Sequence, residues 1–101
     1  MDKFISPGRK PTEREREVVE IIIEECSEVQ QRSTKLLRFG PTEVQPEQPY
    51  DNCYRLGLEV GDLLEILDVA VKEGLIPQKS IDAGRANKKR QLARFMQTTK
   101  E

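Results

Sequence analysis

The chain has 101 residues, a formal net charge of −1, 35% charged residues, 5% aromatic residues and neither Trp nor His. That length suits one domain, whose own core is modest because a domain of this size buries only about 60–70% of its unfolded surface. Without His there is no His-dependent triad, no His general base and no ordinary zinc or Glu-x-x-His di-iron site, so any bound metal must be held by oxygen ligands.

The near-neutral charge gives no global attraction to nucleic acid or to an anionic membrane. No apolar run approaches 18 residues and no signal-peptide core is present, so the expectation is a cytoplasmic protein without membrane contact. Cys26 and Cys53 form no CxxC pair and read as reduced thiols.

Residues 1–10, "MDKFISPGRK", show no period and read as a flexible arm. Thr12 followed by Glu15 is a capping-box pattern, which predicts a first helix running to about Phe39 and stopping at Gly40-Pro41. Its apolar positions Val18, Ile22, Val29 and Leu36, joined by Val19, Ile23 and Cys26, follow helical spacing. Residues 40–52, "GPTEVQPEQPYDN", carry three prolines and form a long loop of the kind that is often functional or mobile.

A second helix is predicted from Asp51 or Asn52 to Gly74, with the stripe Leu56, Val60, Leu63, Leu64, Leu67 and Val71. A third opens at Pro77 or Ser80 and reaches about Met96, with Ile81, Leu92, Phe95 and Met96 as core contacts and the basic run "GRANKKRQLAR". The domain is placed at 11–97 and a frayed tail at 98–101. No strand and no internal repeat is legible, so the fold class is all-α.

The acidic residues carry the chemistry. Glu25 and Glu28 lie three apart on the first helix, and Glu59 and Asp62 three apart on the second, which makes each pair neighbours on a helix surface. Glu25 borders Ile21, Ile22 and Val29, Glu59 sits between Leu56 and Leu63, and Asp62 lies between Leu58 and Ile66. These acids therefore edge the stripes that pack the helices, and in an antiparallel hairpin all four converge.

Two like charges about 5 Å apart repel by roughly 3 kcal/mol at an effective dielectric near 20, so convergence calls for compensation. A divalent cation supplies it, and an all-carboxylate donor set favours Mg²⁺, with Mn²⁺ next. Gly61 weakens its helix by about 1 kcal/mol relative to Ala, which suggests a close approach there. An isolated Glu-x-x-Glu is usually a solvated surface pair, and a basic run is usually a solvated helix face. Glu65 and Asp68 read as solvent or ion-pair residues, with Glu65 a secondary candidate ligand.

The pattern Glu24-Glu25-x-x-Glu28, a spacer, then Glu59-x-x-Asp62 resembles the signature of the MazG-like all-α nucleoside triphosphate pyrophosphohydrolases. The resemblance spans roughly residues 15–96 and takes in "LLRFG", "RLGLEVGDLLEIL" and the late Asn87, Lys88 and Arg90. It implies an antiparallel helical bundle completed by homo-oligomerisation, as a homodimer or homotetramer. It implies Mg²⁺ held at Glu25, Glu28, Glu59 and Asp62, and a water that splits a nucleotide into monophosphate and pyrophosphate, with a role in nucleotide-pool sanitation. Glu24 and Glu25 are then the catalytic candidates, and Asn87, Lys88, Arg90 and Arg38 the substrate-binding ones. The Pro-rich spacer stands as a lid, a base-recognition loop or an insertion. Aromatic groups able to stack a base are confined to Phe4, Phe39, Tyr50, Tyr54 and Phe95. Two rival readings are an enzyme of the same fold acting on phosphoribosyl-ATP, and a non-catalytic helical interaction module.

Overall fold

A computed structural model of the chain describes residues 8–96 and Thr98. The expected arm over 1–10 falls within the described residues only at 8–10, and the expected tail over 98–101 only at Thr98. Among the described residues the protein is all-helical, with α1 (Glu13–Phe39), α2 (Asn52–Lys72) and α3 (Gln78–Phe95) and no strand. Among the described residues no helix is long and apolar enough to cross a membrane. The chain divides into two compact units, with the boundary inside α2 between Asp68 and Val69.

The first unit holds α1, the Pro-rich loop and most of α2. The start of α1 follows the sequence pattern: Glu15 N–H donates to Thr12 Oγ1 at 3.0 Å and Thr12 N–H donates to Glu15 Oε1 at 2.9 Å. Together these satisfy two amides that a helix start would otherwise leave open. Arg9 adds a bidentate clamp on the same carboxylate, both contacts at 2.7 Å. The helix ends where Gly40, at φ 99°, turns its N–H back to Leu36 O at 2.8 Å. That φ lies where a side chain is strained and glycine is not.

The loop is tied down rather than loose. Gln48 N–H donates to Gln45 O, with Pro46 and a positive-φ Glu47 between them, the arrangement of a type II turn. Asn52, 1% exposed, donates from Nδ2 to Gly40 O at 2.8 Å and to Glu43 Oε1 at 3.0 Å. Its N–H reaches Glu43 O, and the next N–H, of Cys53, reaches Pro41 O. Arg55 donates to Gln45 Oε1 at 3.2 Å. The chain thus returns against the end of α1, and α2 runs back antiparallel to it. Asp51 caps α2 by accepting Tyr54 N–H at 2.9 Å.

The interior of this unit is thin. Val18 is buried, and Ile22, Val29, Leu36, Leu56, Leu63 and Leu67 are half-buried. Ile23, Leu37, Leu58 and Leu64 are 63%, 85%, 50% and 60% exposed, and Val19, Cys26 and Val60 also face out. Two helices have two sides each, and a pair of them covers only one. Arg32 is buried on the inner side of α1, and its Nη1 has no hydrogen-bond partner among the described residues.

The second unit contains the end of α2 and α3. Gly74, at φ 79°, donates to Val71 O, and Leu75 N–H donates to Ala70 O at 2.9 Å. These two bonds are the Schellman pair that closes a helix, and they end α2 at Lys72, two residues before the glycine expected to end it. Helix α3 follows Pro77 with no side-chain cap. Ile81 is half-buried, but Leu92, Phe95 and Met96, expected as core contacts, are 46%, 65% and 39% exposed. The apolar spacing of α3 is helical, yet its C-terminal half finds no surface to cover it among the described residues.

Candidate metal centre

Antiparallel pairing of α1 and α2 brings the two acidic pairs to the same level. Glu25 of α1 and Glu59 and Asp62 of α2 each present a carboxylate oxygen, and the three oxygens lie within 4.8 Å of one another. Glu25 and Glu59 are half-buried, and Asp62 is exposed, so the cluster is closed towards the helix seam and open on the Asp62 side. Glu28, half-buried one turn along α1, stands outside that triplet and still acts on its charge.

The electrostatics follow from crowding. Loss of water around Glu25 pushes its carboxyl up from the usual range, and the charges of Asp62, Glu24 and Glu28 push in the same direction. Glu59 moves up for the same first reason, followed by repulsion from Glu28, Asp62 and Glu25 and a hydrogen bond with Asp62. Like charges held this close favour a shared proton or a positive ion. The donor chemistry suits a hard divalent ion: oxygen only, one atom from each of three side chains, and an open side that leaves room for water or phosphate ligands.

The other residues singled out in the sequence are placed as follows. Glu24 is exposed beside Glu25, and Glu65 and Asp68 are exposed on α2. Arg38 is exposed and stacks over the Phe39 ring at 5.1 Å. It lies about 20 Å further along α1 than Glu25 and about 140° round it, so the structure does not bring it to the carboxylates. It shares an outer face of α1 with Gln31, Thr34 and Lys35. Asn87, Lys88 and Arg90 are exposed on α3 in the second unit, where Arg90 Nη2 reaches Asn87 Oδ1 at 3.5 Å.

Three features escaped the sequence reading. Asn52 organises the loop, Arg32 is buried, and Tyr50 and Tyr54 stack with ring centroids 4.1 Å apart and planes 25° from parallel. Arg32 had a signal: it lies seven residues from Glu25, on the same side of α1, where a polar residue interrupts the apolar line. The Asn52 contacts join residues 9 and 12 positions apart, which no periodicity reveals.

No protein-family model, no curated protein and no solved structure matches the chain.

Proposed function

We propose that the protein is a Mg²⁺-dependent nucleoside triphosphate pyrophosphohydrolase, converting a (d)NTP and water into a (d)NMP and pyrophosphate. The observation that supports it is the convergence of Glu25, Glu59 and Asp62 from two helices onto one point, with oxygens within 4.8 Å. Carboxylates held this close repel one another, and a cation between them removes that cost.

Glu25, Glu59 and Asp62 hold the ion on this reading, and Glu28 adds negative charge behind them. Bound there, Mg²⁺ would neutralise phosphate oxygens and acidify a water. Glu24, exposed next to Glu25 in the chain, is the proposed acceptor of that water's proton. Phosphoryl chemistry asks mainly for positioning and charge neutralisation, so carboxylates suffice in a chain without His.

The exposed Ile23, Leu37 and Leu64 support completion of the bundle by further copies, as a homodimer or homotetramer. They equally suit the second reading, a helical interaction module in which the acids are rim charge. Pyrophosphate release separates the two. A panel of NTPs and dNTPs with Mg²⁺ is expected to yield pyrophosphate, and Glu59→Gln to lose it with its helical circular dichroism intact. An interaction module releases none, and a fully active Glu59→Gln removes the ligand assignment.

A further inference from the structure

Tyr50 and Tyr54 are the only two tyrosines of the chain, and they are stacked on each other in the open. Tyr50 is 43% exposed and Tyr54 54%, so the pair fills no core. Exposed aromatic rings held in a fixed, near-parallel pair offer outward π-faces at little further entropic cost to a ligand.

The support under the rings is built. Asp51 Oδ1 accepts Tyr54 N–H and fixes the first turn of α2. Buried Asn52 grips Gly40 O and Glu43 Oε1, Cys53 N–H holds Pro41 O, and Arg55 holds Gln45 Oε1. Tyr50 ends the loop that these bonds immobilise.

The direction from this platform leads to the carboxylates. On α2, Leu58 and Gly61 lie within about 40° of the line of Tyr54, and Asp62 lies about 80° round and about 12 Å further along the axis. Glu59 is turned about 140° away, into the seam. Asp62, the exposed member of the cluster, is thus nearer the line of Tyr54 than Glu59 is. Leu58 is half exposed, and Gly61 does not meet the close approach expected from the sequence: beyond its own stretch of helix nothing lies within 4 Å of where a Cβ would stand, so the lane between the rings and Asp62 is clear.

We infer that the Tyr50–Tyr54 pair is a nucleobase-stacking platform, with the sugar over Leu58 and Gly61 and the phosphates towards Asp62. This deepens the proposed function and rests on it for the identity of the ligand as a nucleotide. Stacking reads the area of a ring more than its edge groups, so purine nucleotides are favoured over pyrimidine ones.

The protein reports on this site by its own emission, because it has no Trp and both of its tyrosines are in the pair. Tyrosine fluorescence is titrated with a non-hydrolysable ATP analogue, the CTP analogue, inorganic tripolyphosphate and a proline-rich peptide, each corrected against free tyrosinamide. The expected result is saturable quenching by the ATP analogue, weaker quenching by the CTP analogue and none by tripolyphosphate. Tyr54→Leu is expected to weaken analogue binding and raise KM for ATP roughly tenfold, with Tyr54→Phe restoring both. Wild-type affinity in folded Tyr50→Leu and Tyr54→Leu, or quenching by the peptide and not by nucleotide, overturns the platform. Pyrophosphate release without quenching sinks the platform and leaves the proposed function standing; quenching without release does the reverse.

Discussion

Glu25 and Asp62, from different helices, hold carboxylate oxygens within 4.8 Å of each other, and Glu59 completes the triplet. Their closeness is a liability to the empty fold and an asset to a fold that binds a cation. That opposition makes the site testable without knowing any substrate.

Addition of Mg²⁺ is expected to raise the melting temperature of the wild type, since an ion that binds only the folded chain at a hundred times its Kd stabilises it by about 2.7 kcal/mol. Glu59→Gln removes one repelling charge from the seam. It is therefore expected to melt higher than wild type in chelator and to respond little to Mg²⁺. Scanning calorimetry of both proteins, with and without the ion, decides this. A Mg²⁺ response equal in the two proteins would remove Glu59 from the ligand set.

The triplet and its neighbour predict a graded loss of activity. Glu28 lies outside the 4.8 Å group, and removal of an outer carboxylate typically costs roughly 10–100-fold in metal affinity or activity. Glu28→Gln is expected to lose activity by that factor and Asp62→Asn to lose more, as read by the rate of pyrophosphate release at saturating Mg²⁺. The reverse order would place the ion nearer α1 than the triplet does.

At the other end of α1, the charge logic reverses. The Arg9 clamp, followed by the Thr12 N–H, holds the Glu15 carboxyl at about 2, well below its ordinary 4.5. A depressed carboxyl stabilises the fold above the unfolded value, and that contribution is lost as pH falls from about 4.5 through about 2. Arg9→Ala is expected to raise the Glu15 midpoint towards 4.5 in a carboxyl NMR titration. It should also lower the melting temperature at pH 6, with the two melting curves converging in strong acid. A wild-type midpoint near 4.5 would show that the clamp does not persist in solution.

The elements most legible in the sequence are those written in local spacing. The capping box at Thr12 and Glu15, the stop at Gly40 and the two i,i+3 acidic pairs can all be read from residues within one or two turns of each other. Exposure was not legible. Leu92, Phe95 and Met96 carry helical apolar spacing and face out, because spacing fixes which residues share a side and says nothing of what covers it. The burial of Arg32, the grip of Asn52 and the tyrosine stack depend on where the chain returns after the loop. A pattern of period 3.6 cannot encode that return.

Gly74 tests the closing turn of α2. At φ 79° a side chain costs about 1–2 kcal/mol, and open space around the glycine leaves the strain as the main effect. Gly74→Ala is expected to lower stability by that amount in urea unfolding. An unchanged midpoint would mean that the Schellman turn is not formed.

Asn52→Ala is expected to destabilise the protein by about 1–3 kcal/mol, since it leaves the Gly40 carbonyl without its donor. Faster limited proteolysis between residues 41 and 50 would report the freed loop. The same change should weaken Mg²⁺ binding, although Asn52 lies about 10 Å along the axis from Glu59.

The grip of Asn52 on the end of α1 also acts as a phase lock. Each residue of slip in α2 would rotate its side chains by about 100°, enough to swing Glu59 out of the seam and Asp62 away from Glu25. One amide thereby sets the angular phase of two carboxylates it never touches. Insertions around Glu47 should leave ion affinity intact, whereas a single residue added just after Asn52 should abolish it.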